Sequence, residues 1–496
     1  MLAALSVGAI VGIAVGAVIG VCLIALILRT LLSRPKDEPV SVLPPRPFDQ
    51  DKVTAHIQEA VRYPTVTMVD DYKGKDEPFL GYRAFLEREY PLLHAHAERT
   101  VIGGYSLVFH LKGRDPSLKP ACFLSHQDVV PAPDVGWDYP PFGGELHDGF
   151  VYGRGALDMK NHMIALLEGV EQLLKEGKEF ERDIYLCFGH DEESSASLDG
   201  APNIVKYFEQ KGVRMEFVVD EGGSVIDGNQ LGIPHPLAMI GASEKGNGDL
   251  EITVRKAGGH GATPQYPTAD GILADVIRKV ERHPMRPRFT PLAKTAFATL
   301  APHAKGIFKF FFVNRDVFSP LLLKVLGLVA PMTNALIRTT LVPTVLTGAP
   351  ARNIIPAQAK VNINFRILTG QTGKDVEAHL NKILRKEIRK GWVSIDFMPY
   401  WDPCEESTVD CPAFETIKRA TRATFPDVVV APYPIVAATD SRFYRAISDC
   451  VYRFSPFMMS MDDQPRVHGY NERVRPEAMV QAANWFANVI QATCCR

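Results

Sequence analysis

The chain has 496 residues, 46% of them hydrophobic and 23% charged, with a formal net charge of -2. These proportions exclude global disorder, and the length calls for two folded units plus an appendage. A nearly neutral chain offers no basic footprint for nucleic acid.

Residues 1–28 contain no charged side chain. A membrane span needs about 20 apolar residues, whereas a secretory h-region has about 7–15, and no A-x-A-like cleavage site follows. A single-pass transmembrane anchor is therefore expected, with a secreted form after signal cleavage as the alternative. Arg29, Arg34 and Lys36 follow the apolar run. By the positive-inside rule alone, they would hold the body in the cytoplasm. Residues 29–48, ending in the proline-rich SVLPPRPF, read as a linker.

Residues 49–245 read as the first part of an α/β domain, with strands near 107–111, 121–124, 184–188 and 216–219. A helix near 162–174 spaces its apolar residues to bury one face. Residues 246–400 read as a smaller inserted α+β unit. A strand at 250–255, a helix at 271–282, a strictly alternating strand at 359–366, a charged helix at 374–390 and a strand at 393–398 fit a β-α-β-β-α-β-like, ferredoxin-like order with one strand not located. Val361, Ile363 and Phe365 point one way, and Asn362, Asn364 and Arg366 the other. Between the two halves of this unit lies an apolar insert near 290–344 containing FKFFFV. It reads either as an acyl-chain groove or as ordinary core. Residues 401–496 return to the composition of the first region and complete the catalytic domain. The eight cysteines show no metal-ligand spacing, and no disulfide is predicted from them.

The chemistry lies in SHQDVV, RGALDMKN, GHDEESS, VVDEGG and RVHGYNERV. Most of these segments follow a strand, where an open α/β sheet presents ligands at its carboxyl ends. His126 and Asp128, two apart, leave an extended run on the same face, and Asp128 can accept the second ring N–H of a ligating His126. Asp158 precedes a helix, where a carboxylate can bridge two cations. Glu192 and Glu193 follow Asp191, and three consecutive acids repel one another unless a cation neutralises them. Asp220 ends a strand, and His468 stands before a glycine. Each is unremarkable alone; together they supply ligands for two divalent metals and a base.

The order H-x-D, D-M-K, D-E-E, D-E-G and a late His resembles the dizinc aminoacylase and carboxypeptidase metallopeptidase family. SHQDVVPAP, WDYPPFGG, YGRGALDMKN, SEKG, NALIRTT, TDSRF and HGYNER resemble its N-fatty-acyl-amino-acid synthase/hydrolase and yeast carboxypeptidase S branches. The resemblance implies a mixed-sheet α/β zinc-peptidase domain with an inserted lid, and two Zn²⁺ ions per chain. His126, Asp158 and Asp220 would hold one ion, and Asp158, Glu193 and His468 the other. Asp128 would orient His126, and Glu192 would be the general base. His260 would stabilise the oxyanion, in many relatives by reaching across a homodimer formed through the lid. Asn353 and Arg366 would bind substrate, Arg366 at its carboxylate. The resemblance also implies a cis peptide after Asp158 and a lumenal or extracellular catalytic domain. The glycine usual after the Glu pair is missing, SSASLDGA standing there instead.

The implied activity is cleavage, and in reverse formation, of the amide bond of N-acyl amino acids, with N-fatty-acyl amino acids as the small-molecule substrate. The alternative is a carboxypeptidase or dipeptidase using the same machinery. Nitrogen and oxygen donors alone fit manganese or cobalt as well as zinc. A non-catalytic binding protein is a third reading, opposed by the presence of every ligand and of Glu192.

Overall fold

Runs of apolar residues buried on both faces build the central sheet. In the computed structural model, which describes residues 7–35, 44–68, 76–194 and 199–495, strands Ala121–His126 and Ile184–Gly189 are buried throughout. The first residues of the leader, the start of the proline-rich spacer and half of SSASLDGA, residues 195–198, lie outside the described residues. The strand order is Ala97–Ile102, Ser106–Leu111, Ile184–Gly189, Ala121–His126, Phe217–Asp220, Val451–Arg453, Pro236–Glu244 and Val429–Ile435, with Val225–Asp227 added beside Pro236–Glu244. Pairing is parallel among Ile184–Gly189, Ala121–His126, Phe217–Asp220 and Val451–Arg453, and antiparallel toward Ser106–Leu111. The sheet is therefore mixed, and three adjacent parallel strands end together.

Helices cover both faces. Helix Lys160–Lys175 is buried over most of its circumference because Pro476–Cys494 packs against it. Gly169 permits that approach: a Cβ there would lie 2.9 Å from the Ala483 carbonyl and 3.0 Å from the Ala487 nitrogen. Helix Ala201–Gln210 packs on the opposite face through Ile204, Val205 and Phe208. All eight cysteines are free thiols, and Cys411 and Cys450 lie 3.7 Å apart.

The second sheet begins where the first pauses. Strand Pro236–Glu244 belongs to the large sheet, and Gly246–Arg255 opens a four-stranded antiparallel one. Its order is Thr340–Thr347, Gln358–Ile367, Gly246–Arg255 and Val393–Phe397, with helices Ala269–Arg282 and Gly373–Ile383 between strands in sequence. This is the ferredoxin-like arrangement. Val361, Ile363 and Phe365 are fully buried, and Asn362, Asn364 and Arg366 lie on the opposite, half-buried face. The apolar insert forms helices Pro291–Leu300, Gly306–Val313, Arg315–Val329 and Pro331–Leu336. Phe312 and Val313 of the FKFFFV stretch are buried against Leu237, Val429 and Ala431 at the edge of the large sheet. This part of the insert is core rather than groove lining.

Lys245, in the SEKG motif, lies at the junction of the two sheets, almost fully buried, and its ammonium donates to the carbonyls of Ala335 (3.2 Å) and Arg338 (2.9 Å) in the NALIRTT motif. Burial, reinforced by Arg366, pushes its pKa down to about 7. An unfolded lysine titrates near 10.4, so between about pH 7 and 10 the unfolded chain binds the extra proton and stability rises with pH. Urea denaturation across that range should show a rise of about 1 kcal/mol per pH unit in the native chain that is missing from Lys245→Met. Equal slopes in the two proteins would refute the assignment.

Candidate metal centre

The three parallel strand ends deliver His126, the acidic turn after Gly189, and Asp220 to one side of the sheet. His126 is buried, and its Nδ1 lies 2.9 Å from the Asp128 carbonyl oxygen and 3.4 Å from Asp128 Oδ1. That leaves Nε2 facing the acids: 3.3 Å from Asp158 Oδ1, 3.4 Å from Glu221 Oε1 and 4.0 Å from Glu192 Oε2. On the other side, His468 Nε2 lies 3.0 Å from Asp158 Oδ2 and 3.0 Å from Glu193 Oε1. Asp158 therefore stands between two imidazoles with one oxygen toward each. The Asp158–Met159 peptide is cis, and His468 adopts a positive φ of 60°.

Asp128 does more than orient His126. Its Oδ2 accepts the Thr67 hydroxyl (2.5 Å) and the Glu193 amide (3.0 Å), and its Oδ1 accepts the Glu192 amide (3.3 Å). Burial alone would raise this carboxyl, but the bonds from His126 and Thr67 hold it below the usual range. One carboxylate thus fixes both the ring and the turn bearing the Glu pair.

Electrostatic crowding is severe. Burial drives Glu192 well above an ordinary carboxyl and raises Glu193, and it pushes Glu221 up to about 8 with help from Asp158. Ligand atoms of His126, Asp158 and Glu193 lie within 4.8 Å of one another, as do those of His126, Glu192 and Glu221. Two imidazole nitrogens among closely spaced, buried carboxylates form a donor set that fits divalent cations.

Asp220 is buried at the end of its strand, and its Oδ2 accepts the Ser441 amide at 2.9 Å. The acid beside His126 is its neighbour Glu221, which the sequence reading did not single out. The only signal for it was the paired acids of VVDEGG. Consecutive residues leave an extended chain on opposite sides, so spacing alone could not say which acid faces the histidine.

His260, Asn353 and Arg366 belong to the second sheet's unit. His260 and Asn353 sit together on a small exposed ribbon, with the Gly261 amide donating to the Asn353 carbonyl at 2.9 Å. Arg366 is half-buried on its strand. Among the described residues, no hydrogen bond or ion pair joins these three to the acidic cluster.

The sequence reading also passed over Arg154 and Glu472, which form a fully buried ion pair. Glu472 also accepts the Gly155 amide at 2.7 Å, and Arg154 donates to the His468 carbonyl at 3.3 Å. Arg154 lies over the Trp137 ring at 5.3 Å. The YGRG, WDYPPFGG and HGYNER motifs thus meet in one place and hold the loops of Asp158 and His468 together.

The model of peptidase family M20/M25/M40 matches residues 122–492. The chain belongs to that family. It is 32% identical over 482 residues to a probable carboxypeptidase S-like protein of Dictyostelium discoideum, covering 95% of this chain and 92% of that protein. It is 34% identical over 447 residues to the N-fatty-acyl-amino acid synthase/hydrolase PM20D1 of Xenopus tropicalis, covering 89% of this chain and 86% of that one. The fold matches an M20 family metallo-carboxypeptidase from Sulfolobus solfataricus with a TM-score of 0.64 at 17% identity, over 90% of this chain and 99% of that one. The protein is a metal-dependent hydrolase of amide bonds, and the donor set above provides for the metal.

Removing one partner of a buried ion pair strands the other charge, which costs about 3–5 kcal/mol. Glu472→Ala should lower the free energy of unfolding by that amount in denaturant titration. A loss under about 1 kcal/mol would show that the pair does not hold the loops.

Proposed function

We propose that the chain is a dinuclear zinc amidohydrolase that cleaves, and in reverse forms, the amide bond of N-fatty-acyl amino acids. The observation that carries this reading is Asp158, one oxygen toward His126 and the other toward His468, with Glu192 beside them. His126, Asp158 and Asp220 would hold one ion, and Asp158, Glu193 and His468 the other. Asp220 is preferred to Glu221 because a ligating carboxylate is commonly hydrogen-bonded in turn, as Asp220 is by Ser441. Bound zinc supplies Lewis-acid polarisation of a carbonyl and lowers the pKa of water toward neutrality.

The remaining steps fall to the protein's own side chains. Glu192 takes a proton from the attacking water and returns it to the leaving amine. Its burial beside Glu193 and Glu221, which raises its proton affinity, suits both halves of that task. His260 donates to the developing oxyanion, a role worth several kcal/mol. Because His260 and Asn353 stand exposed on their ribbon, we assign them to the centre of a second copy in a homodimer formed through the 246–400 lid. Arg366 pairs with the free carboxylate of the amino acid in bidentate fashion.

The acyl chain is assigned to a cavity of about 830 Å³ whose lining includes Phe150, Leu157, Phe457, Met458 and Met459. It is largely apolar, of a size usual for ligand sites, and reaches Leu157, the residue before Asp158. The N-terminal helix is read as a retained single-pass anchor, with the catalytic body lumenal or extracellular; a secreted form after cleavage is the alternative. The second reading of the activity, a carboxypeptidase or dipeptidase, is favoured by the likeness to the carboxypeptidase S-like relative.

Turnover of N-oleoyl-phenylalanine well above that of Gly-Leu by the zinc-loaded protein supports the first reading, and the opposite ranking selects the second. Glu192→Gln should retain its metal and lose about 10²–10⁴-fold in kcat; an unchanged kcat would remove Glu192 as the base. Metal analysis separates the adjacent acids: Asp220→Asn should fall from two zinc ions toward one, and Glu221→Gln should keep both. The reverse pattern would transfer the ligand role to Glu221.

A further inference from the structure

Helix Val7–Leu32 has 26 residues, and Gly12–Leu32 is long and apolar enough to cross a membrane. At 1.5 Å per residue it is about 39 Å long, longer than a hydrocarbon core of about 30 Å. In the anchored chain proposed above, its final turns, which carry Arg29, emerge near the headgroups. The Asn314 side-chain amide donates to the Leu26 carbonyl (3.3 Å) and to the Thr30 hydroxyl (2.9 Å), and Arg29 pairs with Asp316 at 3.0 Å. The apolar insert is thereby placed at the membrane end of the molecule.

Directly after Asp316, the helix Arg315–Val329 turns an apolar stripe outward. Val317 (57% exposed), Leu321 (46%), Val325 (43%) and Leu328 (77%) recur at helical spacing, with Val329 (70%) beside them. Of this helix only Leu322 is buried. Exposed lysines 305 and 324 lie within the same insert, where long side chains can reach from an apolar surface to the headgroup layer. A folded protein seldom leaves a stripe of large apolar side chains along one helix to water, and such a face marks an interface.

We infer that this stripe lies in the interfacial layer of the bilayer that the N-terminal helix crosses, as a second, in-plane membrane contact. A lipid surface is chosen over a second copy of the chain because the stripe begins at the residues that clasp the emerging helix. The inference rests on the proposed anchor, and its test separates the two.

The full chain is reconstituted in vesicles of phosphatidylcholine and phosphatidylserine with brominated or ordinary acyl chains. Tryptophan is introduced by Ile19→Trp in the anchor, by Leu321→Trp or Leu328→Trp in the stripe, and by Val101→Trp on the exposed edge strand far from it in the fold. Brominated lipid should quench the added emission of the anchor variant and of both stripe variants, and spare Val101→Trp. If Ile19→Trp is quenched while both stripe variants behave like Val101→Trp, the in-plane contact is wrong and the anchor stands. If Ile19→Trp also escapes quenching, the anchor reading fails and takes the inference with it. Crosslinking between copies through the stripe, without quenching, would likewise overturn the proposal.

Discussion

Crowded negative charge at the ends of three parallel strands is the constraint on which the rest of the site depends. Asp158, Glu192, Glu193, Asp220 and Glu221 lie near one another, largely withdrawn from the surface. Such acids cannot all ionise side by side without cations or imidazoles to offset them. The sheet brings them together because its strands are buried on both faces and leave only their ends for polar groups. Repulsion at those ends is offset in part by the two histidines, one on each side of Asp158. The affinity for divalent metal follows from the same crowding.

Holding such groups still requires neighbours that are themselves fixed. Asp128 gathers His126, Thr67 and two backbone amides on one carboxylate. Arg154 and Glu472 lock the glycine-rich turn before Asp158 to the loop of His468. On the far side, Ser441 fixes Asp220, the Thr439 amide donates to Glu244 at 2.9 Å, and Glu244 lies 3.3 Å from the Arg453 guanidinium. The contacts of Arg154, Glu472, Ser441 and Thr439 join segments about 200 or more residues apart.

The second sheet and the apolar insert have different roles despite being neighbours in sequence. The ferredoxin-like unit carries His260 and Asn353 on a separate exposed ribbon and Arg366 on the half-buried face of its sheet. The insert buries Phe312 and Val313 against the large sheet and turns other apolar residues outward beside the N-terminal helix. Lys245 ties the junction by donating to two carbonyls of the insert's final turns.

Periodicity within the sequence determined much of this. The alternation at 359–366, the helical spacing at 162–174 and the uncharged leader are local patterns, and local patterns survive without knowledge of the fold. The acids and histidines at strand ends were also legible, because residue type and a preceding apolar run are enough to mark them. Other features depended on the tertiary structure. Asp220 and Glu221 differ by one residue, and only the strand's final orientation sets Glu221 beside His126. Arg154 and Glu472 stand 318 residues apart in the sequence, and only burial in the folded chain pairs them. The outward stripe of the insert has the same composition as a core helix. Which face meets protein and which is left over is fixed by packing between distant segments, and no local pattern encodes it.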